Sequence, residues 1–409
     1  MRFLFIHQNF PGQYLHLVRH LAGQRRHEII FLSEMNDNVV AGVRKLVYRA
    51  PEETSAAVFP AARELDRATR RAATVARAAR RLRELGFRPD IVIGHHGWGE
   101  LLNIGDVWPD VPLLGYFEFF YRMRDSDVDF DPEFPTAAAL LPTIRAKNAV
   151  SLLALSNAGR GQTPTRYQLE TYPKWARERI ALLPEGVNLE QCRPDPGAAG
   201  RPFALGGVTI APGQKLITYV ARDLEPYRGF HVLMRALPRI LRERADTRAI
   251  VVGGDGVSYG ARLKEGSWRE AMLREMGDGL PRERVHFVGR VGYEDYVRLL
   301  QRSDAHVYLT YPFVASWSLR EALACGCAVV GSDTAPVREF VAEGVTGRLA
   351  PFLDPGRLAD VVLEVLEDGA PGLRRGARRF AERHLRMESY IGAYEALIAG
   401  MVGLAPEHP

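Results

Sequence analysis

The chain has 409 residues, 46% of them hydrophobic and 25% charged, the make-up of a globular protein of about two domains. A formal net charge of +5 suits phosphate-bearing ligands but is too small to argue for nucleic acid. No stretch reads as a signal peptide or bilayer span, so a cytoplasmic protein is predicted, and three cysteines exclude a disulfide scaffold.

Residues 2–6, RFLFI, predict a buried strand, followed by the loop from His7 through Gly12 and Gln13 and a helix carried by Leu15, Val18 and Leu21. Strand, glycine-containing loop and helix make the opening unit of a doubly wound α/β domain. No G-x-G-x-x-G follows the strand, so no dinucleotide site is read. Residues 28–33, EIIFLS, give the second strand. Residues 61–85 are helical and carry Arg63, Arg67, Arg70, Arg71, Arg77, Arg80, Arg81 and Arg83, spread around the helix with few large apolar residues between them. That reads first as a solvated surface helix; the alternative is a basic helix resting on anionic lipid, a peripheral membrane contact.

The next strand, Ile91-Val-Ile, ends at His95 and His96. Open α/β sheets hold their ligands beyond the carboxyl ends of the strands, which makes His95 a candidate donor to a ligand hydroxyl. Adjacent residues at a strand end point apart, so the two imidazoles do not suggest one metal. Residues 111–121, VPLLGYFEFFY, predict a strand with Glu118 among aromatic rings; the rings suit a sugar face, and Glu118 is equally a paired structural carboxylate. Residues 149–156 are predicted as a strand with a helix after it. The Pro- and Gly-rich stretch 193–213 is the best domain boundary, dividing residues 1–200 from 201–386, with a last helix over 387–401.

From Lys215 a strand runs into a polar loop with Arg222 and Arg228 on either side. Two guanidinium groups converging there could hold a diphosphate and stabilise its departure. Residues 249–256, AIVVGGDG, form a strand and a glycine-rich turn in which Gly254 allows close backbone approach. Residues 285–289 lead to Arg290 and Val291, and residues 305–309 form a strand. Residues 311–331, YPFVASWSLREALACGCAVVG, read as loop, helix and buried strand, capped by Ser316 or Ser318. The helix start at Trp317 and Ser318 suits a phosphate, and Glu321, one turn in, can accept from a nearby sugar hydroxyl. Cys325 and Cys327 read as small buried residues around Gly326, and Cys192 as a lone thiol in a loop. Strands alternate with helical patterns in both halves, so each half is a parallel-sheet α/β unit.

Glu321-Ala-Leu-Ala-Cys-Gly-Cys-Ala-Val-Val resembles the second half of the donor-binding signature of glycosyltransferase family four, the retaining GT-B enzymes. Arg222 and Arg228 resemble its Gly-Arg…Lys-Gly motif, with Arg228 in the place of the Lys. Residues 88–100, RPDIVIGHHGWGE, resemble its Pro-Asp…His region, with His95 at the active-site His. Residues 179–188, 249–256 and 344–349 resemble further family segments, and the likeness is densest from about 215 to 350. It implies a GT-B fold, two Rossmann-like domains facing across a cleft. It further implies a metal-independent, cofactor-free, retaining transfer from a UDP- or GDP-sugar to a glycan, lipid-linked or small-molecule acceptor. By the same resemblance, Arg222, Arg228 and the helix start at Trp317 and Ser318 hold the diphosphate, and Glu321 takes the ribose hydroxyls. His95 touches the transferred sugar, and Gly12 and Gln13 line the acceptor side. Gly254 approaches the nucleotide, and backbone groups at Arg290 and Val291 meet the base. One position departs: the family's first Glu falls at Phe313, which cannot accept a hydrogen bond from the donor sugar. Ser316 or backbone groups of residues 314–316 are candidates to replace it. The alternatives are a degenerate sugar-nucleotide binder and a nucleotide-sugar 2-epimerase.

Overall fold

The computed structural model describes residues 1–157 and 159–403. The chain divides into two compact units: residues 1–185 together with the segment from Glu388 on, and residues 186–387.

The first unit is built on a seven-stranded parallel sheet in the order β3-β2-β1-β4-β5-β6-β7. Its strands are β1 (Arg2–Ile6), β2 (Glu28–Ser33), β3 (Arg44–Val47), β4 (Ile91–His95), β5 (Leu113–Tyr116), β6 (Arg160–Thr163) and β7 (Ile180–Leu182). β1, β2 and β4 are almost wholly apolar and buried, as strands covered on both faces must be. The strand order reverses between β1 and β4, so the loops after Ile6 and His95 open at a topological switch point. The helix Arg63–Glu84 packs Val75, Ala76, Ala79 and Leu82 with Leu4, Ile30 and Val92 of the sheet; its small alanines let it approach closely.

Two expectations for this unit are corrected. Residues 149–156 are not a strand but the end of the helix Leu141–Ser156, and the strand comes after it, at Arg160–Thr163. Asn148, Ser151 and Leu155 share its buried face at helical spacing, a pattern that a short apolar run conceals. The stretch Ala138–Ser156, 19 residues with mean hydropathy 1.2, is also long and apolar enough to cross a bilayer by length and composition. It carries Arg145 and Lys147 mid-length and buries Val150, Ala154 and Leu155 in this unit. The helix Met387–Val402 belongs to the first unit from Glu388 on, where Glu395 accepts from Gln24 at 2.9 Å and pairs with His20 at 3.0 Å.

The second unit carries a six-stranded parallel sheet in the order β12-β11-β10-β13-β14-β15, after an antiparallel hairpin of β8 (Phe203–Leu205) and β9 (Val208–Ile210). Its strands are β10 (Lys215–Asp223), β11 (Thr247–Gly254), β12 (Val285–Gly289), β13 (Ala305–Tyr308), β14 (Val329–Ser332) and β15 (Arg348–Ala350). The order reverses between β10 and β13, which puts the Arg222–Gly229 loop and the loop before the helix Trp317–Ala324 at this sheet's switch point. The Pro- and Gly-rich stretch 193–213 lies inside this unit, and the division falls earlier, after Glu185. Phe203, Leu205 and Ile210 pack with Leu216, Ile250 and Leu299, so turn-rich composition here marks a packed hairpin.

Candidate active site

In the first unit the loops after β1 and β4 meet. His95 is buried; its Nδ1 accepts the Gly97 N–H at 2.9 Å, which leaves Nε2 as the ring's donor in the neutral form. Nε2 lies 3.7 Å from Glu118 Oε2, close enough for an ion pair when the ring is charged. Tyr116 stacks on His95 at 5.2 Å, and His7 meets it edge-on at 5.3 Å. Burial lowers His7 to about 3, so it is neutral, and its Nδ1 lies 2.9 Å from the Asn9 N–H. Gly12, at φ +54°, lets the loop close on this ring: a Cβ there would sit 3.0 Å from His7 Nδ1. Gln13 is half-buried beside it.

Two buried charges hold these loops. Glu100 accepts the Gln8 N–H at 3.1 Å, tying the β4 loop to the β1 loop, and burial pushes its carboxyl up. Arg71, on the core face of its helix, donates to Glu34 Oε1 and to the Trp98 carbonyl, both at 3.1 Å. The second histidine of the pair turns inward, as the strand geometry requires: His96 packs on Phe117 at 4.6 Å, and burial lowers it to about 3.

In the second unit, Arg228 is buried in the loop after β10. Its Nη1 donates to Thr310 Oγ1 at 2.8 Å and to the Val314 carbonyl at 3.0 Å, and its guanidinium lies 4.9 Å from the centre of the Tyr259 ring. Tyr259 is placed by Glu225, a buried carboxylate that accepts the N–H groups of Ser258, Tyr259 and Gly260 at 3.2, 3.2 and 2.8 Å. Arg222 is exposed at the strand end, with no ion-pair partner among the described residues. Between the two arginines, Asp223 takes Arg290 Nη2 at 2.9 Å and the Ser258 hydroxyl at 2.5 Å. Burial pushes Asp223 up, but those two bonds outweigh it and hold the carboxyl below its usual range. Gly254 is needed for this pair, since a Cβ there would lie 2.7 Å from Asp223 Oδ1. Arg290 thus contributes its side chain, where the sequence pointed only to its backbone; Val291 is half-buried against the core.

The helix Trp317–Ala324 begins after Ser316, whose N–H donates to Tyr308 Oη at 2.7 Å. Neither serine caps it: the Ser316 and Ser318 hydroxyls bond each other instead. Trp317 is 38% exposed at this start. Each oxygen of Glu321 accepts one phenol at 2.8 Å, Tyr293 on Oε1 and Tyr296 on Oε2. Burial raises Glu321 and the two phenols oppose that rise. A carboxylate has about four acceptor positions, so two phenols leave it capacity for a ligand hydroxyl. Phe313 is buried against Tyr227 (5.3 Å) and Tyr259 (5.1 Å), and Tyr227 stacks on Tyr311 at 4.6 Å. Cys192 does lie in a loop but is not a lone thiol: it is buried with Cys325 and Cys327, its Sγ 3.4 Å from Tyr293 Oη.

Two family models match this chain. Residues 25–192 match the Glycosyl transferase family 4 group, and residues 206–384 match Glycosyl transferases group 1. The chain belongs to the group 1 glycosyltransferases of family 4. It is 30% identical to the phosphatidyl-myo-inositol mannosyltransferase of Mycobacterium leprae, over 54% of this chain and 50% of the relative. It is 29% identical to the D-inositol 3-phosphate glycosyltransferase of Streptomyces avermitilis, over 71% of this chain and 59% of the relative. The chain thus spans about half the length of the curated relatives it matches. Among solved structures it is similar to sucrose-phosphate synthase from Thermosynechococcus elongatus (TM-score 0.73, 17% identity, 98% of this chain and 99% of that one). HepE from Anabaena in complex with UDP-glucose gives a TM-score of 0.66 at 17% identity, over 98% and 99%. At these identities the likeness is one of fold, and the fold is GT-B, two parallel-sheet α/β units.

In this family 4 chain the first unit gathers His95, Glu118, Gly12 and Gln13 beyond the carboxyl ends of its central strands. The second gathers Arg228, Asp223, Gly254 and Arg290 around the end of β10. Arg222 is exposed where Arg228 is buried, so the pair predicted as equals stand in different surroundings. His7, Arg71, Glu100, Glu225, Tyr259, Tyr293 and Tyr296 were missed. His7 ends its strand as His95 does and was legible by the same rule; Tyr293 and Tyr296 share a helix face at i, i+3 but meet Glu321 only through the fold.

Proposed function

We propose that the protein is a retaining glycosyltransferase that moves a sugar from a nucleoside-diphosphate sugar to an acceptor hydroxyl. The second unit takes the donor and the first the acceptor. The observation that carries the reading is Arg228. It is a permanently charged group buried at the switch point of a parallel sheet and fixed there through one nitrogen by Thr310 and Val314. A buried cation calls for an anion, and a diphosphate supplies one. Arg222 and the helix start at Trp317 and Ser318 share that charge, and Glu321 takes the ribose hydroxyls. The acceptor hydroxyl attacks the anomeric carbon as the carbon–phosphate-oxygen bond breaks. Its proton passes to the departing phosphate oxygen on the same face, which preserves configuration. Arg228 and Arg222 meet the charge of the leaving diphosphate, so the reading assigns no metal to the step. Nε2 of His95 donates to the transferred sugar, with Glu118 beside it.

UDP-sugar is the first donor to test, supported by the UDP-glucose in the HepE structure, and GDP-sugar the second. The inositol acceptors named for two relatives favour a polyol, free, glycan-borne or lipid-linked. Nucleotide sugars place the enzyme in the cytoplasm. The test is nucleoside-diphosphate release from each donor, with and without polyol acceptors. His95→Ala and Arg228→Ala are expected to abolish turnover with the fold retained by circular dichroism; unchanged turnover in either removes that residue from the site. Phe313 favours a second reading, a donor-binding protein without turnover: binding of a donor with no release would establish it.

A further inference from the structure

Trp98 is 45% exposed, yet the backbone that carries it is fixed on every side. The Gly99 N–H closes the turn on the His96 carbonyl at 3.0 Å, and the Trp98 carbonyl accepts Nη1 of the buried Arg71 at 3.1 Å. The residues on either side have no room for a side chain. A Cβ on Gly97 would lie 2.7 Å from His95 Cε1, and one on Gly99, at φ +91°, would lie 2.4 Å from the Ala68 carbonyl oxygen. Burying an indole is among the larger apolar gains open to a chain, and this fixed turn forgoes much of it. The exposed ring stands beside His95, which lies 6.3 Å and 29° from Trp98 and 5.2 Å and 26° from Tyr116. His95 and Tyr116 are both buried, so of these three near-parallel rings only the indole reaches solvent. Glu118, its side chain 42% exposed, is 3.7 Å from His95 Nε2.

We infer that Trp98 is the platform on which a cyclic acceptor, a pyranoside or a cyclitol, stacks. The inference rests on the reading of the first unit as the acceptor side and narrows it to one substrate class. Such rings carry hydroxyls around the rim and C–H groups on their faces. An indole offers those C–H groups a flat apolar surface of negative potential. The rim hydroxyls then meet the two polar groups beside the indole, the Glu118 carboxylate as acceptor and His95 Nε2 as donor. An open-chain polyol presents the same hydroxyls without a continuous C–H face, so the platform discriminates by ring and not by hydroxyl count. A purely apolar partner fits less well, since an imidazole and a carboxylate flank the indole.

The test is fluorine NMR of the full chain labelled with 5-fluorotryptophan. Trp98 is one of five tryptophans, and its signal is the one missing from Trp98→Phe. Methyl β-glucoside and myo-inositol are titrated as ring probes, and sorbitol as the open-chain control. The Trp98 signal is expected to shift saturably with at least one ring probe and not with sorbitol. Nucleoside-diphosphate release driven by that probe should show a KM about 10-fold higher in Trp98→Ala and close to wild type in Trp98→Phe, with kcat within about threefold in both. Thermal unfolding of each variant checks the fold. A ring probe that drives release but leaves the Trp98 signal in place overturns the inference while the transferase reading stands. A saturable shift without release from any donor sustains the platform and removes the transferase reading. No shift with either ring probe, or an equal shift with sorbitol, overturns the inference.

Discussion

Replacing Glu225 by Gln should unfasten the loop that sets Tyr259 over Arg228. The carboxylate is buried, and its two oxygens accept three backbone N–H groups, from Ser258, Tyr259 and Gly260. Burial holds Glu225 above the usual carboxylate range, while those N–H groups pull it back. Glutamine keeps the shape but exchanges one acceptor oxygen for an NH2 that faces a backbone donor. One charge-assisted bond is lost, the other two become neutral, and a buried donor is left without an acceptor. At ~1.5–3 kcal/mol for a hydrogen bond to a charged group, the expected local loss is about 2–4 kcal/mol, or roughly 30- to 1000-fold in the opening equilibrium. Amide hydrogen exchange reads this directly: protection of the 258–260 amides should fall by that factor, while amides of β10 and β11 keep theirs. Protection at 258–260 unchanged within about threefold would refute the reasoning, because the three bonds would then not be what holds the loop.

Three further outcomes follow from buried groups. His96 stays neutral in the folded protein down to about pH 3 but titrates near 6.5 when unfolded, so its contribution is intact above pH 6.5 and is lost as pH falls toward 3. At pH 5 the loss is about 2 kcal/mol, and the drop in urea-unfolding free energy between pH 7.5 and pH 5 should be smaller by about that amount in His96→Gln. Gly115→Ala would put a Cβ 1.9 Å from His96 Cδ2, and should destabilise by about 1–3 kcal/mol or more, whereas Gly105→Ala, with open space, should not; thermal unfolding of the two separates them. Tyr296→Phe removes the donor on Glu321 Oε2, should cost about 1.5–3 kcal/mol in urea unfolding and should weaken donor binding; no change in either measurement would take that phenol out of the site's support.

Much of this was legible in the sequence, for a physical reason. β1, β4, β10 and β14 are short apolar runs with polar residues at their carboxyl ends, and parallel sheets bind ligands there, so strand-end residues such as His95, Arg228 and Gly254 could be named directly. What was not legible depends on partners distant in the chain. Glu225 reads as one more loop carboxylate until residues 258–260 come back to it. Arg71 differs from its seven helix neighbours only because its face of the helix meets the sheet and Glu34. The strand assigned to residues 149–156 failed because a short apolar run fits a helix or a strand equally, and the packing around Tyr172 and Ile180 settled it as a helix. Phe313 was marked as a departure from the family pattern; only the structure places it in an aromatic cluster with Tyr227 and Tyr259.

The most direct test of the central claim is calorimetric titration of UDP, GDP and ADP into the wild-type protein and into Arg228→Lys and Arg228→Met, each variant first checked for its fold. One nucleoside diphosphate should bind the wild type, bind Arg228→Lys more weakly and bind Arg228→Met at least about 100-fold more weakly, the cost of removing a buried charge from a diphosphate. Equal binding by wild type and Arg228→Met, or no binding of any of the three, would contradict the assignment of the second unit's switch point as the donor site.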